Sequence, residues 1–154
     1  CIRDRRKIQI DEPVNQRLGR MDSMEPITIG ARGTAQTVAD ASKLANAVGS
    51  GSLPVFATPM MTALMEAAAC DAVAAYLEPT ETTVGTALHI THDAATPQGM
   101  TVRAEAEVTG VNGREISFAV TAYDEAGQIG AGTHKRFLVE QQRFLDKAAK
   151  RGQQ

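Results

Sequence analysis

The stretch TPMMTALMEAAACDAVAAY, residues 58–76, decides how the rest of the chain must be arranged. Met61, Leu64, Met65, Ala68, Ala72 and Ala75 recur at the spacing that lines side chains along one face of an α-helix. Ala67-Ala68-Ala69 and Ala74-Ala75 place small residues on other faces, so neighbouring backbone can approach closely. Pro59 suits the first helical position, where its missing N–H costs nothing, and Thr58 before it reads as the N-cap. Glu78-Pro79 closes the segment. A helix so apolar most of the way round is a buried one, and other elements must wrap it.

Upstream, the β-branched run from Ile27 to Val38 reads as a first strand, and Asp40–Val48 as a short helix capped by Asp40. Gly49-Ser50-Gly51-Ser52 then forms a loop. Downstream, four strand-like runs follow at 84–95, 100–110, 114–123 and 129–140. Asn112-Gly113 is a strong hairpin signal, and Glu125-Ala126-Gly127 makes the next turn. Apolar residues alternate in Val102, Ala104, Ala106, Val108 and again in Ile116, Phe118, Val120, Ala122, which marks half-buried antiparallel strands in a four-strand meander. Residues 140–151 are charged and helical by propensity. The expected fold is α+β: one long central helix wrapped by a five-stranded antiparallel sheet, the hotdog arrangement. One helix covers too little of a sheet face, so a homodimer joined along sheet edges is expected.

Bulk properties narrow the partners. The 154 residues carry a formal charge of -2 and 4% aromatic side chains without Trp, which argues against nucleic acid and anionic membrane. Two Cys and three His supply neither a disulfide framework nor a metal-ligand spacing, so no metal or cofactor is expected. No apolar run reaches the ~18 residues of a membrane span, which points to a cytoplasmic protein. Six of the sixteen basic side chains lie in residues 1–24, among them Arg3, Arg5, Arg6 and Lys7. Residues 1–24 therefore read as a disordered leader, with Met21 or Met24 as the natural start. Residues 25–145 form the expected folded domain, and 146–154 a C-terminal tail.

Three polar residues stand where a core would not choose them. Glu66 interrupts the apolar helix; a carboxylate there finds a partner, shifts its pKa, or faces water along an open stripe. In GTALHITHDAAT (85–96), Leu88, Ile90, His92 and Ala94 share one strand face, while His89, Thr91 and Asp93 share the other. His92 thus lies on the helix side, as a satisfied core histidine or as a catalytic one. Thr58 has a structural explanation as a cap, yet its hydroxyl would also sit at the positive end of a helix dipole. Eight residues separate Thr58 from Glu66, about 12 Å along a straight helix. They act together only through a substrate between them, a bent first turn, or a second subunit. Arg136, beside Lys135 on the last strand, is either a phosphate ligand or a charge that protects a sheet edge. No Gly-rich nucleotide loop, G-x-S-x-G, or Asp followed five positions later by His is present.

Val55-Phe56-Ala57-Thr58-Pro59-Met60-Met61-Thr62-Ala63-Leu64-Met65-Glu66, Gly85-Thr86 through Thr91-His92-Asp93-Ala94-Ala95-Thr96-Pro97, and Gly132-Thr133-His134-Lys135-Arg136 together resemble the fluoroacetyl-CoA thioesterase-like family of hotdog thioesterases. The resemblance covers about residues 27–145 and implies hydrolysis of acyl-CoA thioesters by a homodimer. Its Thr–Glu–His triad falls on Thr58, Glu66 and His92, with Phe56 and Arg136 as substrate-binding candidates. The resemblance further implies that the founding member's selectivity for a fluorinated acyl group depends on two lid phenylalanines just before the Val-Phe-Ala-Thr stretch; aligned without gaps from Phe56, those positions here are Gly49 and Ser52. A short acyl-CoA other than strictly fluoroacetyl-CoA is therefore the expected substrate. A non-catalytic acyl-CoA-binding or interaction module is the alternative.

Overall fold

Two tight turns set the topology of the computed structural model, which describes residues 27–153. Gly113-Arg114 joins β3 (Thr101–Asn112) to β4 (Glu115–Asp124), with Gly113 at a left-handed φ of +64°. The turn is centred one residue later than the Asn-Gly pair suggests. Glu125-Ala126 joins β4 to β5 (Gly127–Glu140), and Asp124 Oδ1 accepts from the N–H groups of Ala126 and Gly127 at 2.8 and 3.1 Å. These hairpins put β3, β4 and β5 side by side. β1 (Arg32–Val38) pairs with β3 and β2 (Glu81–His92) with β5, giving the order β1-β3-β4-β5-β2, antiparallel throughout.

The expected four-strand meander is thus a meander of three. β2 crosses to the far side of β5, because residues 93–100 form a long connection rather than a tight turn. That connection is tied down: Thr96 is fully buried, its hydroxyl donates to Asp124 Oδ2 at 2.7 Å, and its carbonyl accepts from Phe56 N–H at 2.9 Å. β5 consequently lies inside the sheet, so Lys135 and Arg136 do not guard an edge.

Between β1 and β2, Asp40 opens a 3-10 turn (Ala41–Lys43) by accepting from Ser42 N–H, and one turn of helix follows as α1 (Ala45–Val48). Helix α2 (Thr58–Val73) continues as a 3-10 turn over Ala74–Tyr76. It buries Met61, Leu64, Met65, Ala68, Ala69, Ala72 and Val73 against Val102, Ala104, Ala106 and Val108 of β3 and Ile116, Phe118, Val120 and Ala122 of β4. The sheet covers one side of this helix only. A stripe through Pro59, Thr62, Ala63, Glu66, Ala67 and Cys70 stays open or half-buried, in place of burial all round. Helix α3 (Gln141–Gly152) follows β5 directly and crosses position 146, where the sequence suggests a tail. The leader expected at 1–24 lies outside the described residues.

The closest helix–strand approach is at Gly33. A Cβ there would overlap the backbone of Ala68 and Ala72, and the neighbouring Thr34 N–H donates to Asp71 Oδ2 at 3.0 Å. One carboxylate thereby occupies an amide that the edge strand would otherwise present to solvent. Gly33→Val should lower unfolding free energy by about 3 kcal/mol, the upper part of the usual overpacking range, because backbone cannot yield as a side chain does. A urea titration showing a loss under about 0.5 kcal/mol would mean that β1 lifts freely from α2.

Candidate active site

The chain enters α2 through Phe56 and Ala57, both buried, and Ala57 is the N-cap, with no side-chain capping bond. The sequence reading of Thr58 as the cap is therefore corrected: Thr58 is the first helical residue. Its carbonyl accepts from the Thr62 hydroxyl at 3.0 Å, and its own Oγ1 lies 2.7 Å from His92 Nδ1. Freed from capping, the hydroxyl joins the helix start to the end of β2. Among the described residues the Thr58 N–H has no acceptor, and Pro59 has no N–H to offer.

His92 lies on the helix side of β2, as alternation requires, while His89 is exposed. Its Nε2 is buried and has no hydrogen-bond partner among the described residues. A hydroxyl both donates and accepts, so Thr58 can serve either neutral tautomer of His92 and leave Nε2 with a proton or a lone pair. That is the property a proton shuttle needs. Thr58, His92, Phe56, Val55, Ser50 and Ala94 line a cleft of about 230 Å³. Phe56 is 1% exposed and belongs to the core as well as to the cleft wall. The Gly/Ser loop at the mouth carries no aromatic ring, and Leu53 next to it is exposed.

Glu66 occupies a different setting. Its Oε2 lies 3.2 Å from Arg136 Nη1, and the carboxylate side chain is 37% exposed while that of Arg136 is 8% exposed. Arg136 Nε donates to Thr83 Oγ1 at 2.8 Å and Nη2 to the Thr83 carbonyl at 2.9 Å. Nη1 also lies 3.1 Å from His134 Nε2. With its fork directed inward, Arg136 faces Glu66 rather than the protein surface. The β2–β5 register slips between Gly85 and Ala87, and a Cβ at Gly85 would lie 2.5 Å from Glu66 Oε2 and 3.3 Å from Arg136 Nη1. The missing side chain lets the carboxylate pack close against β2.

The three triad candidates therefore divide into a Thr58–His92 pair at the start of α2 and a Glu66–Arg136 pair two turns further along. Thr83, Gly85 and His134 were not singled out from sequence as parts of this arrangement. A glycine inside a strand does signal a bulge or a close approach, and Gly85 carried that signal.

Comparison with known proteins identifies the family and the fold. The model of the fluoroacetyl-CoA-specific thioesterase family, FlK, matches residues 39–142. The fluoroacetyl-CoA thioesterase of Streptantibioticus cattleyicolor is 49% identical over 90 residues, which span 58% of this chain and 65% of that relative. A solved structure of the fluoroacetyl-CoA thioesterase FlK superposes with a TM-score of 0.76 at 39% identity, covering 82% of this chain and 98% of that one. A Thermus thermophilus protein described as a thioesterase superfamily member gives 0.78 at 26% identity, covering 84% and 96%. The fold is the hotdog fold, and the chain belongs to the fluoroacetyl-CoA-specific thioesterase family.

Proposed function

We propose that this protein hydrolyses short acyl-CoA thioesters to the free acid and CoA, with Thr58, Glu66 and His92 as catalytic residues. The observation that carries the reading is the Thr58–His92 hydrogen bond, which leaves a buried His92 Nε2 free beside an uncapped helix start. The thioester carbonyl takes the Thr58 N–H and the positive end of α2 as its oxyanion site. Glu66 either takes a proton from the water that attacks the carbonyl, or attacks it directly to give an acyl-Glu66 anhydride that water then cleaves. As the C–S bond breaks, His92 donates a proton to the departing thiolate and regains one from the water. Arg136 borders the acyl end next to Glu66. A cleft mouth built from glycine and serine favours short acyl groups other than fluoroacetyl alone. An acyl-CoA substrate suits a cytoplasmic enzyme.

About 12 Å of helix between Thr58 and Glu66 exceeds the reach of one thioester carbonyl. We therefore infer a homodimer in which Glu66 of one protomer completes the Thr58–His92 pair of its partner. The open, small-residue stripe on α2 supports that arrangement, because a second copy of the same face can pack closely on it.

Glu66→Gln and His92→Ala should each lower turnover more than about tenfold in thiol-release assays with acetyl-, propionyl- and butyryl-CoA, while the proteins stay folded. Near-normal turnover in folded variants would remove these residues from the site. Stoichiometric acyl-CoA binding by the wild type with no thiol released would point instead to a binding module. Co-expressing the two inactive variants under different tags should recover about a quarter of wild-type activity, since half of randomly formed dimers carry one intact composite site. Complete inactivity of the purified mixed dimer would mean that each site is built from one chain.

A further inference from the structure

His134 is one of the most deeply buried side chains, 1% exposed, and stacks on Phe118 with ring centroids 5.8 Å apart. The proposed reaction does not use it. Both of its nitrogens are nevertheless engaged: Nδ1 lies 2.9 Å from the Ala87 carbonyl and Nε2 lies 3.1 Å from Arg136 Nη1. A carbonyl can only accept and a guanidinium can only donate. Nδ1 must therefore carry the proton and Nε2 the lone pair, so His134 is held as one neutral tautomer.

The β-bulge makes this possible. Gly85 pairs with Arg136 and Ala87 with Lys135, leaving Thr86 as the extra residue. The slip places the Ala87 carbonyl within reach of His134, and Gly85 leaves room for the Glu66 carboxylate. Arg136 is then gripped by Thr83 on β2 and by His134 on its own strand, with Nη1 shared between His134 and Glu66.

We propose that His134 is a positioning residue for the thioesterase reaction, its Nε2 lone pair fixing the Arg136 guanidinium so that Glu66 is held in one orientation at the bulge. This rests on the reading of Glu66 as the reactive carboxylate. Burial lowers the His134 pKa below its ordinary 6.5 and the Arg136 charge lowers it further, against the opposing pull of the Ala87 carbonyl and the Glu66 carboxylate. Arg136 on β5 and Glu66 on α2 are the charged groups facing it; β2 contributes the uncharged Ala87 carbonyl, and β4 the Phe118 ring. Protonation would set an N–H against the guanidinium and break the grip.

His134→Leu keeps bulk and loses the lone pair, whereas His134→Gln returns an acceptor near the Nε2 position. With acetyl-, propionyl- and butyryl-CoA, His134→Leu should lower kcat more than about tenfold with KM changed less than about threefold, and His134→Gln should recover to within about threefold of wild-type kcat. Should the leucine variant not fold, His134→Asn replaces it, since asparagine keeps the donor toward Ala87 but does not reach Arg136; glutamine should then exceed asparagine. Equal losses in the glutamine variant and its comparator, or wild-type kcat in the comparator, would overturn the proposal.

A second readout does not depend on turnover. Because the unfolded chain takes up a proton near pH 6.5 and native His134 does so only at lower pH, its contribution to stability is complete above about 6.5 and is lost as pH falls. Wild-type Tm should decline from pH 7 to 5.5 more steeply than that of His134→Gln; identical slopes would also overturn the proposal. An active Glu66→Gln enzyme combined with a flattened slope in His134→Gln would discard the Glu66 chemistry and leave the neutral-histidine grip standing.

Discussion

A guanidinium buried between helix and sheet must have its charge and donors met inside the protein, and that requirement organises this molecule. Arg136 is 6% exposed, so its partners cannot be left to water. Glu66 supplies the countercharge from α2, Thr83 offers hydroxyl and carbonyl from β2, and His134 lends a lone pair from β5. Each acceptor comes from a different position in the chain. Meeting them together brings Glu66 of α2 close against β2 at Gly85, where the register slips.

The same constraint explains why a carboxylate is tolerated in a helix rich in alanine and methionine. Glu66 lies at the border between the buried cation and the open stripe of α2, so the group is paired with Arg136 yet partly exposed. Two turns earlier, Thr58 is released from capping by Ala57 and turned toward His92. Thr58–His92 and Glu66–Arg136 are two separate polar pairs on a helix whose buried face is apolar. In the proposed dimer, two-fold symmetry would bring the separated pairs together without bending the helix.

Much of this was legible in the sequence because periodicity reports burial. The 3.6-residue pattern in 58–76 and the alternation in 102–108 and 116–122 identified the helix and the inner sheet face directly. Strand order was less visible: tight turns reveal hairpin neighbours, but nothing in residues 93–100 says that β2 will lie beyond β5. That is why Lys135 and Arg136 read as edge charges while occupying an interior strand. Thr58 shows another limit, since cap preference is local and the Thr58–His92 bond spans 34 residues. The tautomer of His134 follows only from two partners on different elements, which no local pattern encodes.

The most direct test of a site shared between Thr58, His92 and Glu66 is a crystal structure of the full chain with an acyl-CoA analogue whose thioester sulfur is replaced by methylene. A two-fold dimer is expected, with the analogue's carbonyl oxygen near the Thr58 N–H. Its carbonyl carbon should lie between His92 of one protomer and Glu66 of the other. An acyl group seated away from both His92 and Glu66, or a monomer with the analogue bound elsewhere, would contradict it.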